Sequence, residues 1–320
     1  MKIAFFSESN FEGKIKRDFS NMRTEYAWYV ALDAVHHPIY KLNDVKEEYD
    51  LGIVIIPKKN IEIISKLPII EEMRRVCKKI GFMQEGPHWY FQDYPIEHQI
   101  WYYNILSQMD FILAHNKSDI KYYKGLLGNK HVYQNKSLMI LDELNPRCAP
   151  NRRAGVIIGG NMCRWYGGFD SYIIAQEFGT EIFAPSMGRK IEREEEMDIT
   201  HLPYMSWKKW VNNLAHYKYA VHLMPTHAAG TFSLNCAWYG IPCIGYKDSD
   251  TQSELHPLLT VDNGDLDSAS KLAKKLKNDE DFYTHCSAQT KLIYKNSGFV
   301  ENKYIYNMNK IFKEVMNETN

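Results

Sequence analysis

The sequence has no net charge and no long apolar run. Its 320 residues include 39 Lys and Arg against 39 Asp and Glu, so no overall field draws the chain to a polyanion or an acidic membrane. No apolar stretch approaches the roughly 18 residues that cross a bilayer, and the opening apolar run becomes polar at Ser7, too early for a signal peptide. We therefore expect a cytoplasmic protein without membrane insertion.

The six cysteines form no recognisable pattern. They are scattered, with no C-x-x-C pair and no Cys/His cluster at zinc spacing, so buried free thiols and no metal site are expected. A composition of 45% hydrophobic and 24% charged residues excludes a disordered or collagenous chain. Aromatic residues, in contrast, reach 13%, above what a core alone requires, and this excess calls for an explanation.

Short apolar runs alternate with helical patterns through the first half of the chain. A continuous apolar run is typical of a buried parallel strand, and such a strand feeds a right-handed crossover helix. The alternation therefore predicts an open, doubly wound α/β sheet. The predicted strands are 2–7, 51–57, 80–83 and 111–114, and the predicted helices begin at Thr24 or cover 69–79, 96–107 and 118–127.

The pattern restarts after a segment with two prolines, 145–151, which is typical of a linker. Strands are predicted at 154–158, 180–184, 219–224 and 242–246, with helices over 168–178, 207–215, 232–239 and 268–277. The chain thus predicts two Rossmann-like domains, 1–148 and 149–300. Beyond them, 301–318 has apolar residues at helical spacing, so we expect a C-terminal helix, 301–320, that packs across the junction.

The strongest motif lies between a predicted strand and helix of the second half. A turn of small residues, 226–232, enters the helix and leaves the backbone N–H groups of Gly230, Thr231 and Phe232 free at a positive helix N-terminus. Such an arrangement favours a diphosphate. The alternative is an ordinary strand-to-helix turn in which glycine is needed only for steric reasons.

The order of elements around this turn resembles the GT-B glycosyltransferases, specifically the retaining branch that uses nucleotide-diphosphate sugars. That family has an acidic residue, small residues, Gly, a helix with a second acidic residue, and then Gly-x-Pro. This chain has His227, Gly230, Asn235, Gly240 and Pro242 at the matching offsets. Both acidic positions are replaced, and the replacements retain hydrogen-bonding capacity.

The resemblance implies two domains that face each other across a cleft. Domain 149–300 would bind a nucleotide sugar, UDP-linked in the first instance, and domain 1–148 would bind the acceptor. Neither a metal ion nor another cofactor is implied. His227 would contact the donor sugar and take part in catalysis.

The resemblance also implies how the donor is held. After a Gly turn at Gly160, the family has basic residues that clamp the diphosphate, and Arg164 is the candidate because a guanidinium pairs bidentately with phosphate. A surface arginine is the alternative. Lys247 would substitute for a second basic residue. The other donor-binding candidates are Tyr204 and Met205 near the nucleobase, Asn235 at the ribose, Glu254, and the amides of Gly230, Thr231 and Phe232.

An acidic and aromatic loop, 84–95, follows the predicted strand 80–83. Loops at the carboxyl ends of parallel strands line the binding crevice. Glu85 or His88 is therefore a candidate to accept or orient the proton of an acceptor hydroxyl, with a purely structural role as the alternative. Gly13, in the first strand-to-helix loop, would let the backbone approach the acceptor.

Two locally basic stretches stand out in the first half despite the neutral total. Lys14 and Arg17 belong to one, and the other covers 117–136. Together with Trp89, Tyr90 and Phe91, which are expected to be exposed, they favour a DNA acceptor carrying a hydroxymethylated pyrimidine, as in viral DNA-modifying glucosyltransferases. The location would then be host cytoplasm. The alternatives are a solvated helix face, a saccharide acceptor, or a non-catalytic protein that binds nucleotide sugars.

Overall fold

The computed structural model describes residues 1–128, 131–142, 144, 153–185 and 191–317, and it leaves the side chain of Arg164 undescribed. The chain divides into two compact units. The first comprises Met1–Phe19, Glu25–Lys136 and Glu301–Asn320, and the second comprises Ser20–Thr24 and Ser137–Val300.

The first unit is built on a six-stranded parallel sheet in the order β2-β1-β3-β4-β5-β6. Its strands are β1 Ile3–Ser7, β2 Val35–Pro38, β3 Tyr49–Val54, β4 Cys77–Met83, β5 Phe111–Ala114 and β6 His131–Gln134. Its helices are α1 Thr24–Ala31, α2 Ile61–Ile64, α3 Ile69–Val76, α4 Ile96–Ser107 and α5 Lys117–Leu127. Every residue of β1 and β5 is buried, which explains why these strands are continuous apolar runs.

The second unit contains another six-stranded parallel sheet, in the order β12-β11-β10-β7-β8-β9. Its strands are β7 Val156–Ile158, β8 Ile182–Ala184, β9 Thr200–His201, β10 Tyr219–His222, β11 Cys243–Tyr246 and β12 Thr260–Val261. Its helices are α6 Gly168–Ala175, α7 Trp207–Leu214, α8 Thr231–Tyr239, α9 Asp250–Leu255, α10 Leu266–Asn278 and α11 Glu280–Asn296. Both sheets are of the doubly wound type that the alternating pattern predicts.

The C-terminal helix α12, Glu301–Asn317, belongs to the first unit. Its Phe312 ring meets Phe111 of β5 at a centroid distance of 6.1 Å, and its Tyr304 hydroxyl donates to the Asn135 side chain over 2.8 Å. The chain leaves the first unit after Lys136, earlier than the boundary expected at residue 148. The predicted linker, 145–151, lies outside the described residues.

Helix α5 offers a test of local helix stability. Gly125 lies in its interior and is exposed, and a Cβ atom added there would meet nothing within 4 Å. Glycine in a helix interior costs roughly 0.5–1 kcal/mol relative to alanine. We expect Gly125→Ala to raise the free energy of unfolding of the first unit by about that amount, measured by denaturant titration; an unchanged or lowered midpoint would contradict this.

Candidate functional site

Glycines bring the backbone of the β7–α6 loop close to its neighbours. A Cβ atom at Gly159 would lie 2.6 Å from the rings of His222 and Phe232, and one at Gly160 would lie 2.9 Å from the Cβ of Tyr166. No side chain fits at either position without displacing these groups. The loop therefore presents bare backbone at the carboxyl end of β7, where ligands of open α/β sheets bind.

Helix α8 begins with an N-terminus that no side chain caps. Gly230 precedes it with φ +69°, and a Cβ there would lie 2.5 Å from that of Thr251. The helix starts at Thr231, so the N–H groups of its first turn have no intrahelical acceptor. They carry the positive end of the helix dipole, which is the geometry of an anion-binding site.

The two residues at the replaced acidic positions have different surroundings. His227 is half-buried, and its Nε2 lies 3.7 Å from the carboxylate of Asp248. Asn235 is buried, at 1% exposure, and its Oδ1 has no hydrogen-bond partner among the described residues. An unpaired buried acceptor costs about 1–3 kcal/mol, and a ligand hydroxyl would satisfy it. The roles assigned to both residues stay predictions.

The other donor-binding candidates belong to the second unit. Lys247, at the end of β11, forms an ion pair of 2.5 Å with Asp262, and this hydrogen bond raises the pKa of the lysine. Glu254 is half-buried on α9. Tyr204 is exposed and Met205 half-buried in the segment before α7. The backbone of Arg164 opens a 3-10 helix, and its side chain lies outside the described part.

The topology brings several of these positions to one edge. Strands β11, β10 and β7 are neighbours in the sheet, and their carboxyl ends carry Lys247, the segment 223–230 and Gly159–Gly160, respectively. Tyr204 and Met205 follow β9, at the far edge of the same sheet. The glycine loop and the segment that leads into α8 thus follow neighbouring strands of one sheet.

In the first unit, the loop after β4 is packed more tightly than expected. Phe91, expected to be exposed, is 4% exposed and stacks on Tyr102 with ring centroids 4.0 Å apart; that expectation was wrong. Tyr90 is half-buried beneath the ammonium of Lys58, and Trp89 is half-buried. The phenyl ring fills a hydrophobic core that the sequence pattern of the loop does not reveal.

The two proton-transfer candidates of this loop differ in their contacts. Glu85 is exposed. His88 is partly buried, and its Nδ1 lies 2.9 Å from Oδ1 of Asp119, whose side chain is fully buried in the first turn of α5. The same carboxylate accepts hydrogen bonds from the backbone N–H and the side-chain amide of Asn116, over 3.1 and 2.9 Å.

Sequence reasoning did not identify Asp119 as the partner of His88. Burial raises the pKa of this carboxyl, but hydrogen bonds from His88 and Asn116 outweigh that effect, so its pKa lies below the usual value. Asp119 is therefore ionised at neutral pH. An acid three residues into a helix is usually a capping group, and only the fold shows that it meets a histidine.

The acceptor-binding candidates near the N-terminus have intramolecular partners. Gly13, with φ +101°, forms a backbone bridge to His36. Lys14 pairs with Asp33 at 2.7 Å, and Arg17 forms a bidentate pair with Glu301 of α12. In the second basic stretch, Lys117, Lys121 and Lys124 are exposed on α5 and are spaced so that they share one helix face.

The described part of the chain lacks two further features. Among the described residues, no group of three or more His, Cys, Asp or Glu side chains is placed to hold a metal ion. Within the same part of the chain, no helix combines the length and apolar character needed to cross a membrane.

Comparisons with known proteins give structural matches alone. No protein-family model matches the sequence, and no curated protein matches it. The structure is similar to Anabaena HepE in complex with UDP and glucose (10% identity, TM-score 0.69, 98% of this chain and 100% of that one). It is also similar to an alpha-glucosyltransferase, AGT, in complex with UDP (11%, 0.63, 99% and 100%).

A third match is sucrose-phosphate synthase from Thermosynechococcus elongatus (11% identity, TM-score 0.67, 87% of this chain and 76% of that one). Four further matching structures are longer, and the chain spans 57–60% of their length. At such identities the matches establish architecture, and they agree with the two parallel six-stranded sheets described above. The chain therefore has the α/β fold of the GT-B glycosyltransferases.

Proposed function

We propose that the chain is a glycosyltransferase that moves a sugar from a UDP-sugar to a hydroxyl group and needs no metal ion. The observation that carries this proposal is the uncapped N-terminus of α8 beside the glycine loop after β7. Both features offer backbone N–H groups where a diphosphate would sit. HepE and AGT, which share the fold over almost the whole chain, were solved with UDP, and this supports the choice of nucleotide.

The α8 N-terminus also suits the chemistry of the leaving group. When the bond from the anomeric carbon to the diphosphate breaks, negative charge builds on the diphosphate oxygen. Preorganised N–H groups at a helix N-terminus stabilise developing charge without reorganisation. Arg164 would add a charge-assisted, bidentate contact. Asn235 would hold the ribose and His227 a sugar hydroxyl.

For the acceptor we infer a hydroxymethylated pyrimidine base in DNA. The support is the lysine face of α5, formed by Lys117, Lys121 and Lys124, which is basic although the chain is neutral. Lysines spaced along a helix suit a phosphate backbone. A saccharide acceptor has no need of such a face. Trp89 and Tyr90 would contact the base at most through their exposed edges, because both are half-buried.

Ligand-induced stabilisation tests the donor site. At 100 times its dissociation constant, UDP should raise the free energy of unfolding by about 2.7 kcal/mol. At the same concentration, uridine should raise the free energy of unfolding much less, because it lacks the diphosphate that the α8 N-terminus would hold. Thermal unfolding with UDP, UMP and uridine measures the series. Equal shifts for UDP and uridine would contradict the diphosphate assignment.

Transfer assays test the reaction and the acceptor. A panel of nucleotide sugars is offered with hydroxymethylated DNA, unmodified DNA and oligosaccharides, without added metal. We expect transfer to the modified DNA alone, with binding that weakens steeply as salt rises. Transfer to a saccharide would contradict the proposed DNA acceptor but would still support a glycosyltransferase. UDP-sugar binding without product on any acceptor would instead support a non-catalytic nucleotide-sugar-binding protein.

A further inference from the structure

Helix α4 of the first unit exposes apolar side chains where a surface helix normally has polar ones. Ile96, Ile100 and Tyr103 are 67%, 54% and 44% exposed, and together they define the α4 seam. The opposite side of the helix is also apolar, with Tyr102 and Leu106 buried. A helix that is apolar on all sides is normally covered on all sides. The α4 seam is instead open to solvent.

The spacing of the α4 seam suits packing against another helix. Its residues are four and then three positions apart, which is the repeat by which helices pack side by side. With about 3.6 residues per turn, the three side chains lie in one row along the helix. Large apolar side chains in such a row are typical of the centre of a protein–protein interface, where charged residues are rare.

The neighbouring helices of the same unit have charged residues at their exposed positions. Glu71 and Arg74 are exposed on α3, and Lys117 and Lys121 are exposed on α5. Among the exposed residues of α4, all of which the structure describes, Glu97 is the one charged side chain. The apolar surface is therefore particular to α4 and does not follow from the composition of the unit.

Helix α2 extends this surface and adds a pair of opposite charges. Nε2 of His98 in α4 lies 3.7 Å from the carboxylate of Glu62 in α2, so the two helices lie side by side. Ile63, the next residue of α2, is 56% exposed. Lys59, just before α2, is exposed as well. The margin of the α4 seam thus has a cation and an anion three positions apart.

We infer that the α4 seam is the contact surface of a homodimer with two-fold symmetry, in which the two Ile100 side chains meet at the axis. Such a contact places a surface against its own copy, so the surface must be self-complementary. A face with charges of one sign, such as the lysine face of α5, would repel its copy, whereas the α4 seam is uncharged. An axis perpendicular to α4 reverses the order of Lys59 and Glu62 in the copy, so each charge approaches its opposite.

The charges beside the α4 seam argue against two other occupants. An acidic membrane or a nucleic acid is attracted by an excess of cations. The margin formed by α2 and the start of α4 has Lys59 and Lys66 against Glu62 and Glu97, all of them exposed, so it offers no such excess. A second copy of the chain, which supplies an identical uncharged seam and the same balanced margin, fits this surface better.

The oligomeric state of the full chain tests the inference. Sedimentation velocity at a series of micromolar concentrations should show a reversible equilibrium between monomer and dimer. Two-fold symmetry means that one substitution changes two side chains of the interface. We expect Ile100→Lys and Ile100→Glu each to raise the dissociation constant of the dimer by roughly 100-fold, because each places a charge at the centre of the contact. The thermal unfolding of dilute protein should not change, since Ile100 is exposed in the monomer.

A mixture of these two variants tests the symmetry of the contact. In the mixed dimer, opposite charges face each other across the axis at position 100. The mixture should therefore dimerise about tenfold more tightly than either variant alone. A contact between the α4 seam and a different surface of the second copy would give no such recovery.

Leu292→Lys is the matched control. Leu292 is 61% exposed on α11 of the second unit, so the variant makes a similar change away from the α4 seam and should leave the dissociation constant unchanged. A wild-type chain that stays monomeric, a dimer that survives Ile100→Lys, or a mixture that does not recover would each overturn the inference. So would a monomer that binds acidic vesicles and loses this binding in Ile100→Glu, because the surface would then meet lipid.

The inference is independent of the proposed function. Sedimentation measures the association of the chain and involves neither UDP nor a sugar. A chain that dimerises through the α4 seam but neither binds UDP nor transfers a sugar would overturn the proposed function alone. A monomeric chain that transfers a sugar would overturn the dimer alone.

Discussion

A methyl group at position 167 is expected to lower the free energy of unfolding of the second unit by about 3 kcal/mol, the sum of backbone strain and overpacking. Gly167 has φ +59° at the start of α6, and a Cβ atom there would overlap the carbonyl oxygen of Leu223 and approach Cδ of Pro225 to 3.0 Å. Because the main obstacle is backbone, no side-chain rotation relieves it. The chain after β10 must move.

The control for Gly167→Ala is Gly264→Ala. Gly264 also has a positive φ, +82°, in the same unit, but an added Cβ would meet nothing within 4 Å. Gly264→Ala should therefore lower the free energy of unfolding by the conformational cost alone, about 1 kcal/mol. Denaturant unfolding of both variants measures the difference. Equal losses would mean that the close approach of the two loops contributes nothing to stability.

Acid is expected to destabilise the folded chain through buried neutral histidines. Burial lowers the pKa of His36 in the first unit and of His256 in the second from 6.5 to about 4. Between these values the unfolded state binds a proton that the folded state does not. The stabilisation is therefore fully present above pH 6.5 and is lost as the pH falls towards 4, by about 3 kcal/mol per histidine.

Substitution of one histidine in each unit isolates this effect from that of the carboxylates. In the wild type, Nε2 of His256 lies 3.0 Å from the carbonyl oxygen of Ser233, an acceptor that a glutamine amide can also satisfy. Unfolding of the second unit at pH 7 and pH 4.5 should show a smaller acid loss in His256→Gln than in wild type. His36→Gln should do the same for the first unit. If the variant and the wild type lose the same free energy of unfolding between pH 7 and pH 4.5, the acid sensitivity does not come from the substituted histidine.

Most strands could be predicted because a strand that is buried on both faces has a continuous apolar run. The run 111–114 was predicted as a strand, and the structure has Phe111–Ala114. Strand β2 was missed, since His36, His37 and Pro38 do not form an apolar run, although the two histidines are buried through hydrogen bonds to Ser7 and Tyr49. Helix α11 was missed because its buried face includes Ser287 and Thr290.

The glycine turns of the second unit were easier to predict from sequence than the side-chain contacts of the first unit. Glycines that permit a tight turn before a helix are local in sequence, so Gly160 and Gly230 could be found from spacing. The partner of His88 lies 31 residues away, on the next strand-to-helix unit, and no spacing rule links them. The ion pair between Arg17 and Glu301 joins residues 284 positions apart and could not be predicted from the sequence for the same reason.

The division of the chain into units has a practical consequence for dissecting the protein. The first unit is assembled from three separate segments, one of them the C-terminal helix whose Phe312 covers Phe111. An N-terminal fragment ending at Lys136 would uncover that ring and leave Asn135 without the Tyr304 hydroxyl. A circular permutant that fuses the C-terminal helix ahead of β1 would instead make this unit nearly contiguous, interrupted only by Ser20–Thr24.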